Sequence, residues 1–126
     1  RPVGTQQPWG TRMEDCLFCK IAAGDIPADK VYEDDAVVAF RDLNPQAPTH
    51  VLVVPRKHIA TLNDIETEDE ALVGRMYAAV REIARREGFA EAGYRTLVNC
   101  NEAGGQVVFH IHLHLLAGRM MHWPPG

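Results

Sequence analysis

The chain has 126 residues, 46% of them hydrophobic and 24% charged, which suits one compact domain around a single core and excludes a largely disordered protein. Its net charge of −4 excludes general electrostatic attraction to nucleic acid or to an anionic membrane, so a phosphate-bearing partner has to be held by a local site. No apolar run nears the roughly 20 residues that span a bilayer, no basic-then-apolar stretch opens the chain, and an odd set of three cysteines is too sparse for a disulfide scaffold, so the cytoplasm is the expected compartment.

Residues 1–12 carry glycine and proline without an apolar period, and Met13 opens the first orderly stretch. They are read as a disordered tail, an expression remnant or a trimmed N-terminus, ahead of a single domain over 13–126. The pattern Leu17, Phe18, Ile21, Ala22 predicts a short helix over Asp15–Ala23, stopped by Gly24. Lys30–Glu33 and Ala36–Arg41 read as strands of a hairpin turning at Asp34-Asp35, and Thr49–Pro55 as a third, largely buried strand. Leu72, Met76, Val80 and Ile83 recur at helical spacing, predicting a helix from Thr67 to Glu87, with Thr67 and Glu70 as its capping box and Gly88 as its stop. Tyr94–Asn99 and Phe109–Leu116 read as the last two strands, joined by a loop at Asn101–Gly105. The order α-β-β-β-α-β-β implies an α+β domain, a mostly antiparallel five-stranded sheet with two helices packed on it.

The strongest chemical signal is FHIHLHLL, residues 109–116. Because a strand turns alternate side chains to one face, it predicts His110, His112 and His114 side by side, about 6 to 7 Å apart at their Cα atoms. Imidazole suits phosphoryl chemistry, since a reference pKa of about 6.5 leaves a neutral nucleophilic nitrogen at working pH. Two plainer readings stand beside it: a solvated strand face, and a metal site, for which H-x-H on a strand is good geometry. Just upstream, Gly104-Gly105-Gln106 is read as a candidate phosphate cradle, although two glycines alone more often mark a hairpin turn.

HIHLHLL resembles the H-φ-H-φ-H-φ-φ signature, φ being apolar, of the histidine triad superfamily. Arg41–His50 (RDLNPQAPTH), Val53–His58 (VVPRKH) and Gly118–Gly126 (GRMMHWPPG) resemble its Hint branch of purine nucleoside phosphoramidases, and the similarity runs from about Asp15 to the end. The resemblance implies a two-fold homodimer that binds purine nucleotides and hydrolyses purine nucleoside phosphoramidates, with aminoacyl adenylates as a further substrate class. The implied mechanism has two displacements: His112 attacks the α-phosphorus, and water hydrolyses the nucleotidyl-histidine. His114 would touch the phosphate, while His110 and His50 stand behind the nucleophile. Asp42, beside Leu43, would bind the ribose hydroxyls. Leu17, Phe18, Ile21, Ile26 and Phe40 would form a slot for the base, and Asn99, Gly105, Gln106 and Val107 would surround the phosphate. Trp123, in the tail, would reach toward the partner's site. No cofactor is needed for catalysis on this reading.

Two features depart from that pattern. Val107 stands where several Hint relatives carry a hydroxyl residue thought to help protonate the leaving amine, which implies a weaker phosphoramidase. Cys16-x-x-Cys19 occurs in some bacterial relatives that bind structural zinc, and His58 with His110 would complete a tetrahedral set. The sequence leaves the metal open; if it is bound, the part of His110 in catalysis is indirect. The rival functions are a nucleotide-binding or protein-interaction module with incidental catalysis, a dinucleoside polyphosphate hydrolase, and a metal-dependent enzyme.

Overall fold

The structure, a computed structural model, describes residues 15–126; the tail expected over residues 1–12 lies outside them. The elements follow the expected order: α1 (Leu17–Ala23), β1 (Lys30–Glu33), β2 (Val37–Arg41), β3 (Thr49–Pro55), α2 (Glu70–Glu87), β4 (Arg95–Leu97) and β5 (Leu113–Ala117). The five strands form one sheet in the order β1-β2-β3-β5-β4, and every pairing is antiparallel. The expectation of a mostly antiparallel sheet with two helices is borne out. Among the described residues no helix is long and apolar enough to cross a membrane.

Strand alternation sends two sets of side chains to the two faces. Val37, Ala39, Val51, Val53, Leu113 and Leu115 pack with Met76, Ala79, Val80 and Ile83, the apolar stripe of α2. On the opposite face Val38, Phe40, Leu52 and Val54 pack with Phe18, Ile21 and Ala22 of α1. The register sets Phe40 opposite Leu52, and Leu52 opposite His114, so His114 stands on the α1 face. The hairpin turn is made by Asp34, whose Oδ1 accepts the N–H groups of Ala36 and Val37, each at 2.8 Å. Burial alone would raise the pKa of this carboxyl, but those two donors and the Tyr32 hydroxyl hold it below the usual range.

Three expectations need correction. The long helix starts at Glu70 instead of Thr67, because Thr67–Asp69 is a 3-10 turn. Asp69 stands at its N-cap without a side-chain cap bond; the Asp69 carboxylate instead closes the 3-10 turn on the Glu66 N–H at 3.0 Å and pairs with Lys57 at 2.5 Å. β4 is shorter than Tyr94–Asn99, since its pairing with β5 ends at Leu97 opposite His114.

The third correction bears on function: β5 begins at Leu113, not Phe109, so His110 and His112 precede the strand. Their segment is held by bonds that leave the ladder. The Ile111 N–H donates to the Ile59 carbonyl at 2.7 Å, and the His110 carbonyl is taken by the His112 ring. Backbone groups spent in this way cannot extend the sheet.

Candidate active site

A cavity of about 340 Å³ opens between α1 and the sheet. Its walls include Leu17, Phe18, Ile21, Ile26, Phe40, Asp42, Leu43 and Val107 from the sequence-predicted set, with His112 and His114 at its polar end. Leu52 and Val108 also line it and were not anticipated. The β2–β3–β5 register carried the signal for Leu52, which stands between Phe40 and His114 on one face. A larger hollow of about 520 Å³, beside Phe89, Tyr94 and Arg119, holds no histidine. The chemistry belongs to the smaller cavity.

The histidines do not form one row. The rings of His112 and His114 lie 5.0 Å apart between centroids, and the His50 ring lies 5.2 Å from that of His114. His110 points away, its Nδ1 lying 3.3 Å from the Cys16 sulfur and 3.5 Å from that of Cys19. Phe18 separates the two groups, edge-on to both His112 (5.1 Å) and His110 (6.0 Å). His110, fully buried and turned toward the sulfurs, does not line the cavity, and its main-chain carbonyl meets the His112 ring.

Backbone groups fix the tautomer of each ring, because a carbonyl only accepts and an N–H only donates. His112 Nδ1 lies 2.9 Å from the His110 carbonyl, so Nδ1 carries the proton and Nε2 presents its lone pair. His110 Nε2 donates to the Pro55 carbonyl at 2.7 Å, which leaves its Nδ1 lone pair toward the sulfurs. His50 Nδ1 accepts the Gln46 N–H at 3.0 Å, so its Nε2–H donates to His114 Nδ1 at 2.9 Å. The proton of neutral His114 then sits on Nε2. Gln46 was not among the expected residues, and its contribution is a main-chain N–H that any residue but proline would offer.

The rings are held neutral. Burial first, then the neighbouring rings of His112 and His50, bring His114 down to about 4, against a smaller opposing pull from Asp42. Burial brings His110 to about 4 as well, and lowers His50 and His112 against the opposing effects of Asp42 and, for His112, its carbonyl partner.

Asp42 Oδ1 accepts the Asn44 N–H at 2.8 Å, while Oδ2 stands 3.5 Å from His50 Nε2 at the edge of the cavity. Asp42, His50 and His114 lie close enough to suggest a second metal set. The Gln46 N–H argues against that use, since it places a proton on the His50 nitrogen that would have to bind the ion.

The remaining predicted residues stand apart from the cavity. Gln106 is buried and its side chain is fully employed: Nε2 donates to the carbonyls of Ala60 and Val108, and Oε1 accepts the Asn101 N–H. Its side-chain amide therefore pins the loop, which leaves only its backbone for the expected nucleotide contact. Gly105, at φ +83°, allows the return of this loop, but neither it nor Asn99 lines the cavity. Trp123 is 80% exposed under the Arg95 guanidinium and is not among the residues that line the cavity.

Cys16, Cys19, His58 and His110 bring four donor atoms within 4.8 Å of one another. A tetrahedral zinc, with bonds of about 2.3 Å to sulfur and 2.0–2.1 Å to nitrogen, needs donors roughly 3.4–3.8 Å apart. Here the sulfur-to-nitrogen separations are 3.3 Å (Cys16–His110), 3.3 Å (Cys19–His58) and 3.5 Å (Cys19–His110). The residues fit the group, and the Pro55 carbonyl behind His110 Nε2 supplies the outer contact that orients such ligands.

The model of the HIT domain matches residues 23–121. This chain belongs to the HIT domain family. It is 53% identical over 106 residues to the purine nucleoside phosphoramidase of Escherichia coli, covering 84% of this chain and 89% of that protein. Similar in sequence too is an uncharacterised HIT-like protein of Synechococcus elongatus, 53% identical over 90% of this chain and 98% of the relative. Among solved structures, a HIT family hydrolase from Legionella pneumophila superposes with a TM-score of 0.86 at 56% identity, over 88% of this chain and 99% of that one. A histidine triad protein from Clostridium difficile gives 0.85 at 50% identity, over 88% and 96%. With these relatives the HIT protein described here is an enzyme of the hydrolase kind.

In this HIT domain the neutral site has a measurable cost in acid. The folded pKa of His114 lies below its unfolded value of about 6.5, so its contribution to stability is present above that pH and is lost as pH falls toward about 4. Urea unfolding at pH 7.0 and 5.0 should show the native protein losing more stability than His114→Gln, which has no proton to gain. Equal losses would contradict the neutral His114.

Proposed function

We propose that this HIT protein hydrolyses the P–N bond of purine nucleoside phosphoramidates, and the corresponding acyl bond to phosphate of aminoacyl adenylates, through a nucleotidyl-histidine intermediate on His112. The observation that carries the reading is the His110 carbonyl on His112 Nδ1, which leaves Nε2 unprotonated at the polar end of a nucleotide-sized cavity. Similarity to a purine nucleoside phosphoramidase supports the substrate class.

In the first displacement the Nε2 lone pair of His112 bonds to the α-phosphorus, and the P–N bond breaks toward the amine. The His114 Nε2–H donates to a phosphate oxygen and favours the charge that builds there. Val107 at the cavity mouth has no hydroxyl, so water supplies the proton the amine needs. The hydroxide left behind then attacks phosphorus and releases His112 together with the nucleoside monophosphate. Phe18 and Phe40, in edge contact at 5.4 Å, with Leu17, Ile21 and Ile26, offer the base an apolar slot without directed polar groups, which favours purines by area and shape. Asp42 Oδ2 takes the ribose hydroxyls.

The reading extends to a cytoplasmic homodimer whose tail, with Trp123, approaches the partner's site, and to independence from nucleic acid and membranes. It also includes a structural zinc on Cys16, Cys19, His58 and His110, which would cross-link α1 to the segments following β3 and preceding β5 and take no part at the phosphorus. Catalysis at His112 needs no further cofactor.

With adenosine 5′-phosphoramidate, His112→Asn should lower kcat by at least about 10³-fold while nucleoside monophosphate affinity changes only a few-fold. Turnover surviving in that variant would remove the covalent route and favour a nucleotide-binding module. Elemental analysis of protein purified in zinc-supplemented buffer should give one zinc per chain, and Cys16→Ser with Cys19→Ser should give none and melt at a lower temperature. A metal-free native protein with an unchanged melting temperature after chelation would remove the zinc.

A further inference from the structure

We propose that Arg119, which lies outside the cavity, is a positioning residue for the phosphate-facing proton of His114, a role that rests on the hydrolytic reading above. The argument follows a chain of donors. The His114 Nε2–H exists only while His114 Nδ1 accepts from His50. His50 can donate there only while its own Nδ1 is the acceptor, a tautomer held by the main-chain N–H of Gln46 on Nδ1 and by the Asp42 carboxylate 3.5 Å from Nε2.

Gln46 lies on the connection between β2 and β3, where two local side chains tie the turn: Asp42 Oδ1 accepts the Asn44 N–H at 2.8 Å, and Gln46 Nε2 donates to the Asn44 carbonyl at 3.0 Å. The tie from outside the connection comes from 73 residues away. Arg119 donates to the Gln46 carbonyl through Nε at 3.2 Å and through Nη2 at 3.0 Å, a two-pronged grip that a planar guanidinium makes and an ammonium does not.

The fold delivers Arg119 to this place. Thr49 pairs with Ala117, so the chain leaving β5 passes beside the chain entering β3. At Gly118 it turns at φ +99° against Pro48, where a Cβ would stand 2.8 Å from the proline Cβ. Glycine at 118 therefore lets the two segments close on each other and drops the next side chain over Gln46.

Without that grip the turn can withdraw the Gln46 N–H. His50 then adopts its other tautomer, with the proton on Nδ1, and accepts from His114 Nδ1 instead of donating to it. His114 would present a lone pair, not a proton, to the phosphate oxygens. The loss falls on the reacting phosphate, while the base slot and Asp42 keep their contacts.

The test reads the resting enzyme and the working one separately. Nitrogen-15 NMR of histidine-labelled native protein should show His50 and His114 each protonated on Nε2, and Arg119→Ala should shift both toward the Nδ1–H form. In kinetics on adenosine 5′-phosphoramidate, Arg119→Ala should lose about tenfold in kcat, the rate equivalent of one net hydrogen bond, with KM changed less than about twofold. Because the side chain is exposed, added guanidinium ion at millimolar concentration should restore part of that kcat, and Arg119→Lys should recover less than the ion does. An Arg119→Ala enzyme with native tautomers and native kcat overturns the proposal, as does a kcat loss that guanidinium leaves untouched while the tautomers stay native. If the native protein proves inactive on phosphoramidates the hydrolytic reading fails, and the NMR arm alone still decides whether Arg119 sets the histidine tautomers.

Discussion

A 2.9 Å hydrogen bond between the His112 ring and the carbonyl two residues before it is the constraint around which the site is arranged. Without a fixed partner, a neutral imidazole exchanges its proton between two nitrogens and offers either one. This bond ends the choice. It turns the His110 carbonyl to a side chain while the Ile111 N–H goes to Ile59, and β5, which bears His114, begins only at Leu113. Regular structure is surrendered over the four residues 109–112, and one nitrogen is left as the acceptor.

The same local geometry separates the three histidines into two tasks. His112 and His114 face the cavity, whereas His110, sharing a peptide segment with His112, turns its Nδ1 toward Cys16 and Cys19. Phe18 packs against both sides, and α1, which supplies the base slot, also carries Cys19 and is capped by Cys16. The proposed nucleotide pocket and the sulfur–imidazole cluster therefore share a helix, a phenylalanine and a backbone segment. Movement of α1 away from His110 would loosen the slot and displace the carbonyl that sets the His112 tautomer.

Much of this was legible in the sequence because periodicity encodes which face a side chain takes. Both helices, all five strands and the glycine stops at Gly24 and Gly88 follow from local patterns, and eight of the residues expected to hold the nucleotide line one cavity, with His112 and His114 beside them. What escaped was set by long-range partners. Nothing in FHIHLHLL announces that the Ile111 N–H will meet Ile59, so the alternation was carried two histidines too far. Gln106 looked like a ligand because it follows two glycines, yet its amide is absorbed by Ala60, Val108 and Asn101. The Thr67/Glu70 pattern misled because residues 67–69 wind as a 3-10 turn whose own box joins Glu66 and Asp69, with Lys57 paired to the Asp69 carboxylate. Main-chain donors such as that of Gln46 leave no mark in a sequence at all.

The central claim is that His112 forms a bond to phosphorus through the nitrogen its backbone partner leaves bare. Rapid acid-free quenching of a reaction with a purine nucleoside phosphoramidate, followed by peptide mass spectrometry, tests it directly. The account predicts a nucleoside monophosphoryl adduct on the peptide bearing His112, located on that residue and lost as product accumulates. Steady product formation with no adduct, or with the adduct on His110 or His114, would contradict it.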